Sequence, residues 1–259
     1  MIAIFDLDVR ALEPGATATG EGAEGQEFLE RVGQWARFAA LCGLDGIGVV
    51  ERYSADHAPG ALGALQGAPR ADEGLIAWEG GARVLPGAEV GTEEGPRAVV
   101  FGPPRALAEL ARDFSPSLFY GFTPRLEELV RKARERGLLV CLRAEPGVRD
   151  ALVVLGGREG RGVHALLVGP DRPVPRALAR SVGRPVAGGS GAVRRAAVGL
   201  RRTALALDGL SFDDVRRTFA QGAVLAFGEG GGPMARVARE CAAAVHGLVD
   251  RVRSAAARG

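Results

Sequence analysis

The fold of this chain is clearest in one stretch, Gly43-Leu44-Asp45-Gly46-Ile47-Gly48-Val49-Val50-Glu51-Arg52. The apolar run Gly46–Val50 predicts a buried strand, and the charged pair Glu51-Arg52 marks the point where this strand ends. Upstream, Gln26–Leu41 carries apolar residues at helical spacing and is followed by Gly43, which predicts an amphipathic helix with a glycine stop. A helix that leads into a near-continuous apolar strand is typical of a parallel sheet covered by helices.

The same alternation of apolar runs and amphipathic segments continues along the chain. The further predicted strands are Ile2–Leu7, Arg83–Leu85 and Ala98–Phe101 (around a turn at Pro86-Gly87), Leu138–Leu142, Val163–Val168, Pro185–Gly188, Thr203–Leu207 and Val224–Phe227. The further predicted helices are Thr123–Arg136 with Thr123 as N-cap, Ser211–Gln221 with a capping box, and Pro233–Arg258.

This order of elements predicts the α/β class and a single domain. Seven or eight strand–helix units within 259 residues fit a (β/α) barrel, so we predict one domain over residues 1–259. Its C-terminal helix, at about 233–258, has an apolar stripe that would pack on the barrel or join a second copy of the chain.

Composition excludes several classes of protein. The chain is 47% hydrophobic and 25% charged, and no apolar run reaches the roughly 18 residues that a membrane span needs. The first residues lack the basic segment of a signal peptide, and the three cysteines are far apart, so we expect reduced thiols in a cytoplasmic protein with no membrane partner. The net charge of +2 does not indicate a nucleic-acid partner.

Charged residues follow several of the predicted strands. In a parallel barrel the chemistry lies at the mouth, the end where the strands finish at their carboxyl ends. The charged residues placed there are Asp6, Asp8, Arg10, Glu51, Arg52, Glu89, Arg143 and Glu145.

One short motif suggests a phosphatase of another kind. Phe5-Asp6-Leu7-Asp8 resembles the opening of haloacid-dehalogenase-type phosphatases, in which the first aspartate is a nucleophile and the second a general acid. That family continues with Gly-Thr where this chain has Val9-Arg10, and the only lysine, Lys132, falls inside a predicted helix. This family is therefore the last of the alternatives.

A second resemblance runs along nearly the whole chain. The segments that carry it are Asp6-Leu7-Asp8-Val9-Arg10, residues 43–52, Leu85-Pro86-Gly87-Ala88-Glu89, Ala144-Glu145-Pro146 and Gly189-Ser190-Gly191-Ala192-Val193. In their order and spacing they resemble the PHP (polymerase and histidinol phosphatase) superfamily, whose members hydrolyse phosphoesters with two or three metal ions. The resemblance implies a distorted (β/α)7 TIM-like barrel of PHP type.

The chain departs from this family at the metal ligands. The alignment places the family's metal-binding histidines at Asp8, Arg10, Arg52, Arg97, Glu145 and Val193, and its late aspartate at Gly191; only Glu89 remains as a matched ligand. A guanidinium group is always protonated and offers no lone pair to a cation. We therefore expect no metal cofactor.

The replacements also follow a charge pattern at the mouth. The alignment gathers four carboxylates (Asp8, Glu51, Glu89, Glu145) and four arginines (Arg10, Arg52, Arg97, Arg143) there. A buried carboxylate without a partner is strongly destabilising, and arginine matches carboxylate in fork geometry. We hypothesise that an arginine–carboxylate network fills the space of the lost ions. The alternative is that several of these side chains point to solvent.

The histidines offer no obvious replacement site. His57 is predicted to lie in a loop, and His246 falls on the predicted C-terminal helix. His164 is predicted to be a core histidine hydrogen-bonded to backbone.

Three functions remain open at this point. The first is a catalytically inactive PHP-like protein that acts as a binding or structural module for a phosphorylated or anionic ligand. The second is a phosphoesterase that keeps Mg²⁺ or Mn²⁺ on Asp8, Glu51, Glu89 and Glu145. The third is an RNA-associated protein, because Phe5–Arg10 also resembles the start of the barrel-shaped subunit of ribonuclease P; the balanced net charge does not favour it.

Overall fold

The computed structural model describes residues 1–10, 22–52, 60–68, 74–119, 123–160, 162–169, 176–192 and 197–227. The strands are β1 (Ile2–Val9), β2 (Gly46–Arg52), β3 (Arg83–Val90), β4 (Ala98–Phe101), β5 (Leu139–Arg143), β6 (Val163–Val168), β7 (Val186–Gly188), β8 (Arg202–Ala206) and β9 (Val224–Phe227). The helices are α1 (Gly22–Leu41), α2 (Gly60–Gln66), α3 (Pro104–Phe119), α4 (Leu126–Glu135), α5 (Val148–Gly160), α6 (Arg176–Val182) and α7 (Phe212–Ala220). The predicted helix at 233–258 lies outside the described residues. None of the described helices is long and apolar enough to cross a membrane.

All nine strands join one sheet, in the order β7-β6-β5-β4-β3-β2-β1-β8-β9. The sheet curves until β7 and β9 approach each other, which gives a nearly closed barrel and confirms the predicted α/β barrel. The sheet is mixed, whereas the alternation of strands and helices indicated a parallel one: β4 runs antiparallel to both β3 and β5, and β8 runs antiparallel to β1 and β9. The link between β3 and β4, residues 91–97, is too short for the crossover helix that a parallel pair needs.

The predicted turn at Pro86-Gly87 was also wrong, because both residues lie within β3. Pro86 pairs with Val49 of β2, and its carbonyl accepts a hydrogen bond of 3.1 Å from the N–H of Gly102. The ladder between β3 and β4 begins only at Gly87, so Pro86 stands where the strand needs no N–H donor toward β4.

Helix α4 begins later than the sequence predicts. Its N-cap is Arg125, which has an extended backbone, and not Thr123. The carboxylate of Glu94 accepts the N–H of Leu126 at 2.8 Å, so a residue distant in sequence satisfies the helix start. At the other helix with a predicted N-cap, α7, the capping box between Ser211 and Asp214 is confirmed.

The strands separate two apolar layers. The inner cluster fills the barrel and includes Phe5, Leu7 and Cys141, and α7 closes one end of it with Phe212 and Phe219. The outer cluster lies between the strands and the surrounding helices, where the buried side chains of α1 and α4 pack against the barrel wall. The opposite end from α7 is the mouth, which polar residues occupy.

Candidate functional site

Strand alternation aims the polar side chains of the mouth into the barrel. Arg143 lies two residues after Cys141 of the inner cluster, and Arg97 lies two residues before Val99, so both side chains continue the inward face of their strands. Glu89 is the register partner of Val99 and shares that face. The apolar lining of the barrel therefore gives way to charged residues at the mouth.

The neighbouring strands add an arginine and an aspartate. Arg52 is the register partner of Glu89 across β2 and β3 and points the same way, whereas alternation puts Glu51 on the opposite face of β2. In β1 an irregularity between Asp6 and Val9 interrupts the register with β2. Asp8 lies within this irregularity and reaches the arginine of β5 across the barrel.

Arg143 makes the central contacts of the mouth. Its Nη1 and Nη2 atoms lie 2.5 and 3.0 Å from the two oxygens of Asp8, an arrangement in which one guanidinium binds both carboxylate oxygens. Its Nε and Nη2 atoms lie 2.6 and 2.5 Å from one oxygen of Glu89. Both carboxylates are only 1% exposed. Burial lowers the pKa of Arg143, but the bonds and charges of the two carboxylates outweigh it and raise the pKa above its usual range.

Glu89 accepts from three further arginines. The contacts are 2.8 Å from Nη2 of Arg10, 3.3 Å from Nε of Arg52 and 3.0 Å from Nη1 of Arg97. Burial raises the pKa of Glu89, but the charges of Arg143, Arg10 and Arg97 outweigh burial and lower the pKa to about 2. Glu89 is therefore a carboxylate at any physiological pH.

Arg97 links this centre to the outer rim of the mouth. Its Nε lies 3.1 and 3.3 Å from the two oxygens of Glu145, and its Nη2 also contacts this carboxylate. Burial raises the pKa of Glu145, but the hydrogen bonds and charge of Arg97 lower it overall. The hydrogen bond to Glu145 is the main cause of the raised pKa of Arg97.

The structure thus gathers seven of the eight predicted residues into one arginine–carboxylate network. Its members are Asp8, Arg10, Arg52, Glu89, Arg97, Arg143 and Glu145. The hypothesised contacts are present for these seven residues. Glu51 is the exception, because it lies on the other face of its strand.

Two residues of the predicted mouth segments, which the sequence analysis did not count among the candidate site residues, support the network. Asp6 is fully buried, and its carboxyl group accepts the backbone N–H groups of Asp8, Ser190 and Gly199. Burial raises the pKa of Asp6 to about 7, although the hydrogen bonds from these residues lower it in part. Gly189 leaves room for the site, since a Cβ there would lie 2.3 Å from the Cβ of Asp8. Asp6 has one sequence signal, an acidic residue inside the apolar run Ile2–Leu7.

His164 makes the predicted hydrogen bond to backbone but is only half-buried and not a core residue, while His57 and His246 lie outside the described residues. Nδ1 of His164 accepts the N–H of Val140 at 3.1 Å, and burial lowers the pKa of this histidine to about 4. Cys42 and Cys141 are free thiols, and burial raises the pKa of Cys141 to about 12, which makes it unreactive.

Comparison with known proteins identifies the fold. No family model and no curated protein matches the chain. PsfC from Pseudomonas syringae PB-5123 is similar over 93% of this chain and 98% of its own, with a TM-score of 0.60 and 19% identity. The lesion-specific endonuclease PfuEndoQ from Pyrococcus furiosus is similar over 87% of this chain, with a TM-score of 0.59 and 15% identity; the match spans 58% of that enzyme.

A third similar structure is described as PHP-like. It is a two-domain protein from Bacteroides vulgatus ATCC 8482 that contains a predicted PHP-like metal-dependent phosphoesterase, with a TM-score of 0.51 and 12% identity over 88% of this chain and 65% of that one. The PHP-type barrel expected from the sequence is therefore confirmed at the level of the fold.

The residues at the mouth do not fit the metal ions that this fold implies. Within the part of the chain that the structure describes, no three His, Cys, Asp or Glu side chains lie together as a metal site requires. The oxygens of Asp8 and Glu89 instead accept hydrogen bonds from guanidinium groups, and each arginine adds positive charge that repels a cation.

Proposed function

We propose that this chain is a PHP-type barrel without phosphoesterase activity that binds a phosphorylated or anionic ligand at its mouth. The observation that carries the proposal is the set of four arginines around the single carboxylate of Glu89. These contacts use the lone pairs that a hydrolytic metal ion would need, and they leave arginine side chains facing outward.

The charge of the mouth favours an anion. Three carboxylates of the network face four guanidinium groups, which leaves one positive charge in excess. Arg52 is 61% exposed and reaches Glu89 only through Nε, and Arg97 is 36% exposed. A guanidinium has five N–H donors, so an outer arginine can hold Glu89 on one side and a phosphate or carboxylate on the other.

The second candidate is a metal-dependent phosphoesterase, and the shared fold with a PHP-like phosphoesterase favours it. It would hold Mg²⁺ or Mn²⁺ on Asp8, Glu51, Glu89 and Glu145. In the described geometry Glu51 faces away from Glu89, so this site would require a rearrangement of β2.

Metal content and turnover separate the two candidates. Protein purified without added metal, and again after soaking in Mn²⁺ or Mg²⁺, is analysed for bound metal and assayed on a generic phosphoester. We expect negligible metal and no turnover. Tightly bound ions together with turnover that a chelator abolishes would overturn the proposal and establish the enzyme.

Anion binding is tested with inorganic phosphate as the probe. We expect phosphate to raise the melting temperature of the wild type, and Arg52→Gln and Arg97→Gln to reduce this rise. Arg125→Gln is the matched control, because Arg125 is 72% exposed and contacts only the exposed Glu93 in the described structure. An equal response of all three variants would show that the mouth is not the binding site.

A further inference from the structure

The wall of the barrel carries an apolar face that the described helices leave exposed. This outer face lies on β1, β8 and β9, on the side of the sheet that faces away from the inner cluster. We propose that residues 233–258 of this chain form a helix that docks on the outer face and on the groove beside it. The proposal concerns the outside of the barrel wall, so it does not rest on the proposed function of the mouth.

Strand register gathers the side chains of the outer face. Ala204 of β8 pairs with Ile4 of β1 on one side and with Leu225 of β9 on the other. In the next row Ala206 pairs with Ile2. Paired residues point to the same side of a sheet, and the strand neighbours of these five lie in or against the inner cluster, so the five point outward. Ile2 is 73% exposed and Leu225 is 62% exposed, and adjoining exposed apolar residues of this kind mark a surface that binds another element.

A groove along the seam of the barrel continues the outer face. β7 and β9 stand at the two ends of the strand order, and the groove opens between β9 and the segment formed by α6 and β7. It has a volume of about 680 Å³, and its apolar lining consists of Ala179, Pro185, Val186, Val224, Leu225 and Ala226. Leu225 belongs to both the groove and the outer face, so the two form one continuous surface.

The outer face has the size of one helix. Neighbouring strands lie about 4.8 Å apart, so three strands are about 10 Å wide, and an α-helix with its side chains is about 10 Å across. A stable interface between two copies of a chain buries about 800 Å² on each copy. A strip of one helix width along the five residues of β8 offers much less area than that, which favours a single helix as the occupant.

The chain itself supplies a helix at this place. β9 is antiparallel to β8, which is antiparallel to β1, so β9 ends at the mouth. The sequence continues with Gly228-Glu229-Gly230-Gly231-Gly232, a linker whose glycines permit a tight reversal, and then with Pro233, a residue that favours the first turn of a helix. A connection of this length is typical between a strand and the helix that runs back along the outside of a barrel.

The predicted helix has an apolar stripe of suitable length. Val237, Cys241, Val245 and Leu248 recur at spacings of three or four residues, which places them on one side of a helix. At a rise of 1.5 Å per residue the stripe is about 17 Å long, close to the length of about 15 Å of a five-residue strand such as β8. The short linker also keeps this segment at about millimolar effective concentration near the outer face, which favours it over a second copy of the chain.

Hydrogen exchange followed by mass spectrometry on the full-length chain tests the docking. We expect the backbone amides of residues 233–258 to exchange at least about tenfold more slowly than those of an unstructured chain. Leu225→Glu should abolish most of this protection, because a carboxylate in the middle of the outer face opposes burial. Val154→Glu is the matched control, since Val154 is 74% exposed on α5 and lies outside the outer face. It should leave the exchange of residues 233–258 unchanged.

Sedimentation velocity identifies the occupant. We expect the wild type to be a monomer in which residues 233–258 are protected. A dimer that Leu225→Glu dissociates would show that a second copy covers the outer face, and it would overturn the proposal. Fast exchange of residues 233–258 in the wild type, or protection that Leu225→Glu leaves unchanged, would overturn it as well.

A second variant keeps the test decisive if the first does not fold. Where circular dichroism shows that Leu225→Glu is unfolded, Ile2→Glu takes its place on the outer face and should likewise speed the exchange of residues 233–258. Unchanged exchange in Ile2→Glu would then contradict the docking. The phosphate response of the mouth is a separate readout, so a failure of the proposed function would leave these results as they are.

Discussion

At the level of single residues, the mouth shows how surrounding arginines keep a buried carboxylate charged. Glu89 is 1% exposed, yet its pKa falls to about 2 because the surrounding guanidinium groups outweigh the cost of burial. The same arginines are buried to different degrees, from 10% exposed for Arg143 to 61% for Arg52. The inner arginine therefore serves stability, and the outer ones remain accessible to a ligand.

Removal of the Glu89 charge should destabilise the fold strongly. We expect Glu89→Gln to lower the free energy of unfolding by about 3–5 kcal/mol, since it leaves Arg143 buried with only one of its two carboxylate partners. Urea unfolding measures the change. Glu93→Gln is the control, because Glu93 is 50% exposed and pairs only with exposed Arg125 in the described structure, so its loss should change stability by less than about 1 kcal/mol. Equal effects of the two variants would contradict a buried network.

His164 should make the protein sensitive to mild acid. Burial holds its pKa near 4 in the folded state, below the ordinary value of 6.5, so the unfolded chain takes up a proton first as pH falls. Stability from this residue is complete above pH 6.5 and decreases between pH 6.5 and 4. We expect wild type to lose about 2 kcal/mol relative to His164→Asn between pH 7 and 5.

This difference is measured by urea unfolding of both proteins at each pH. The asparagine can still accept the N–H of Val140, and groups common to both proteins cancel in the difference. A constant difference across this range would show that the histidine titrates normally in the folded state.

At the level of elements, the sequence predicts best where the signals are local. The apolar runs of β4, β6 and β9 have the predicted bounds. The start of α7 is specified by the capping box between Ser211 and Asp214, which are only three residues apart. Prediction failed at Pro86 and Thr123, where a distant partner decides the outcome: the carbonyl of Pro86 bonds the N–H of Gly102, and Glu94 caps α4. Local patterns do not contain these contacts.

The candidate site was likewise predicted best where local signals decide the structure. Alignment to the PHP motifs brought seven network residues together correctly, because strand ends fix which residues reach the mouth. It misplaced Glu51, since the alternation of β2 gives the inward face to Arg52. It also assigned no role to Asp6, whose bonds reach loops about 180 and 190 residues away in sequence.

The N-cap of α7 gives a test at this scale. Ser211 accepts the N–H of Asp214 at 3.1 Å, and the Asp214 carboxylate accepts the N–H of Ser211 at 3.2 Å. We expect Ser211→Ala to lower the free energy of unfolding by about 1 kcal/mol, because α7 closes the barrel and its start loses a bonded partner. Ser181→Ala is the control, since that exposed hydroxyl bonds only the carbonyl of Leu178 in the described structure. Thermal unfolding that changes equally in both would contradict a capping role.

At the level of the whole molecule, the barrel wall couples two apolar layers. Strands such as β5 contribute alternate side chains to the inner and outer clusters, as Leu139 and Val140 do. Loss of a strand would therefore expose both layers at once. This arrangement supports the prediction that the chain unfolds as one domain.

Two matched leucine substitutions test that prediction. Leu139→Ala removes a fully buried side chain from the inner cluster and Leu129→Ala one from the outer cluster, and we expect each to cost about 2–5 kcal/mol. Both should shift the same single unfolding transition. The unfolding curves from far-ultraviolet circular dichroism and from the fluorescence of Trp35 and Trp78 should coincide. Leu41→Ala, at a position 86% exposed, should change stability by less than about 0.5 kcal/mol. Cooperative unfolding requires the shared strands to hold both clusters together. If two separate transitions were seen, each shifted by only one of the buried variants, the two layers would unfold independently.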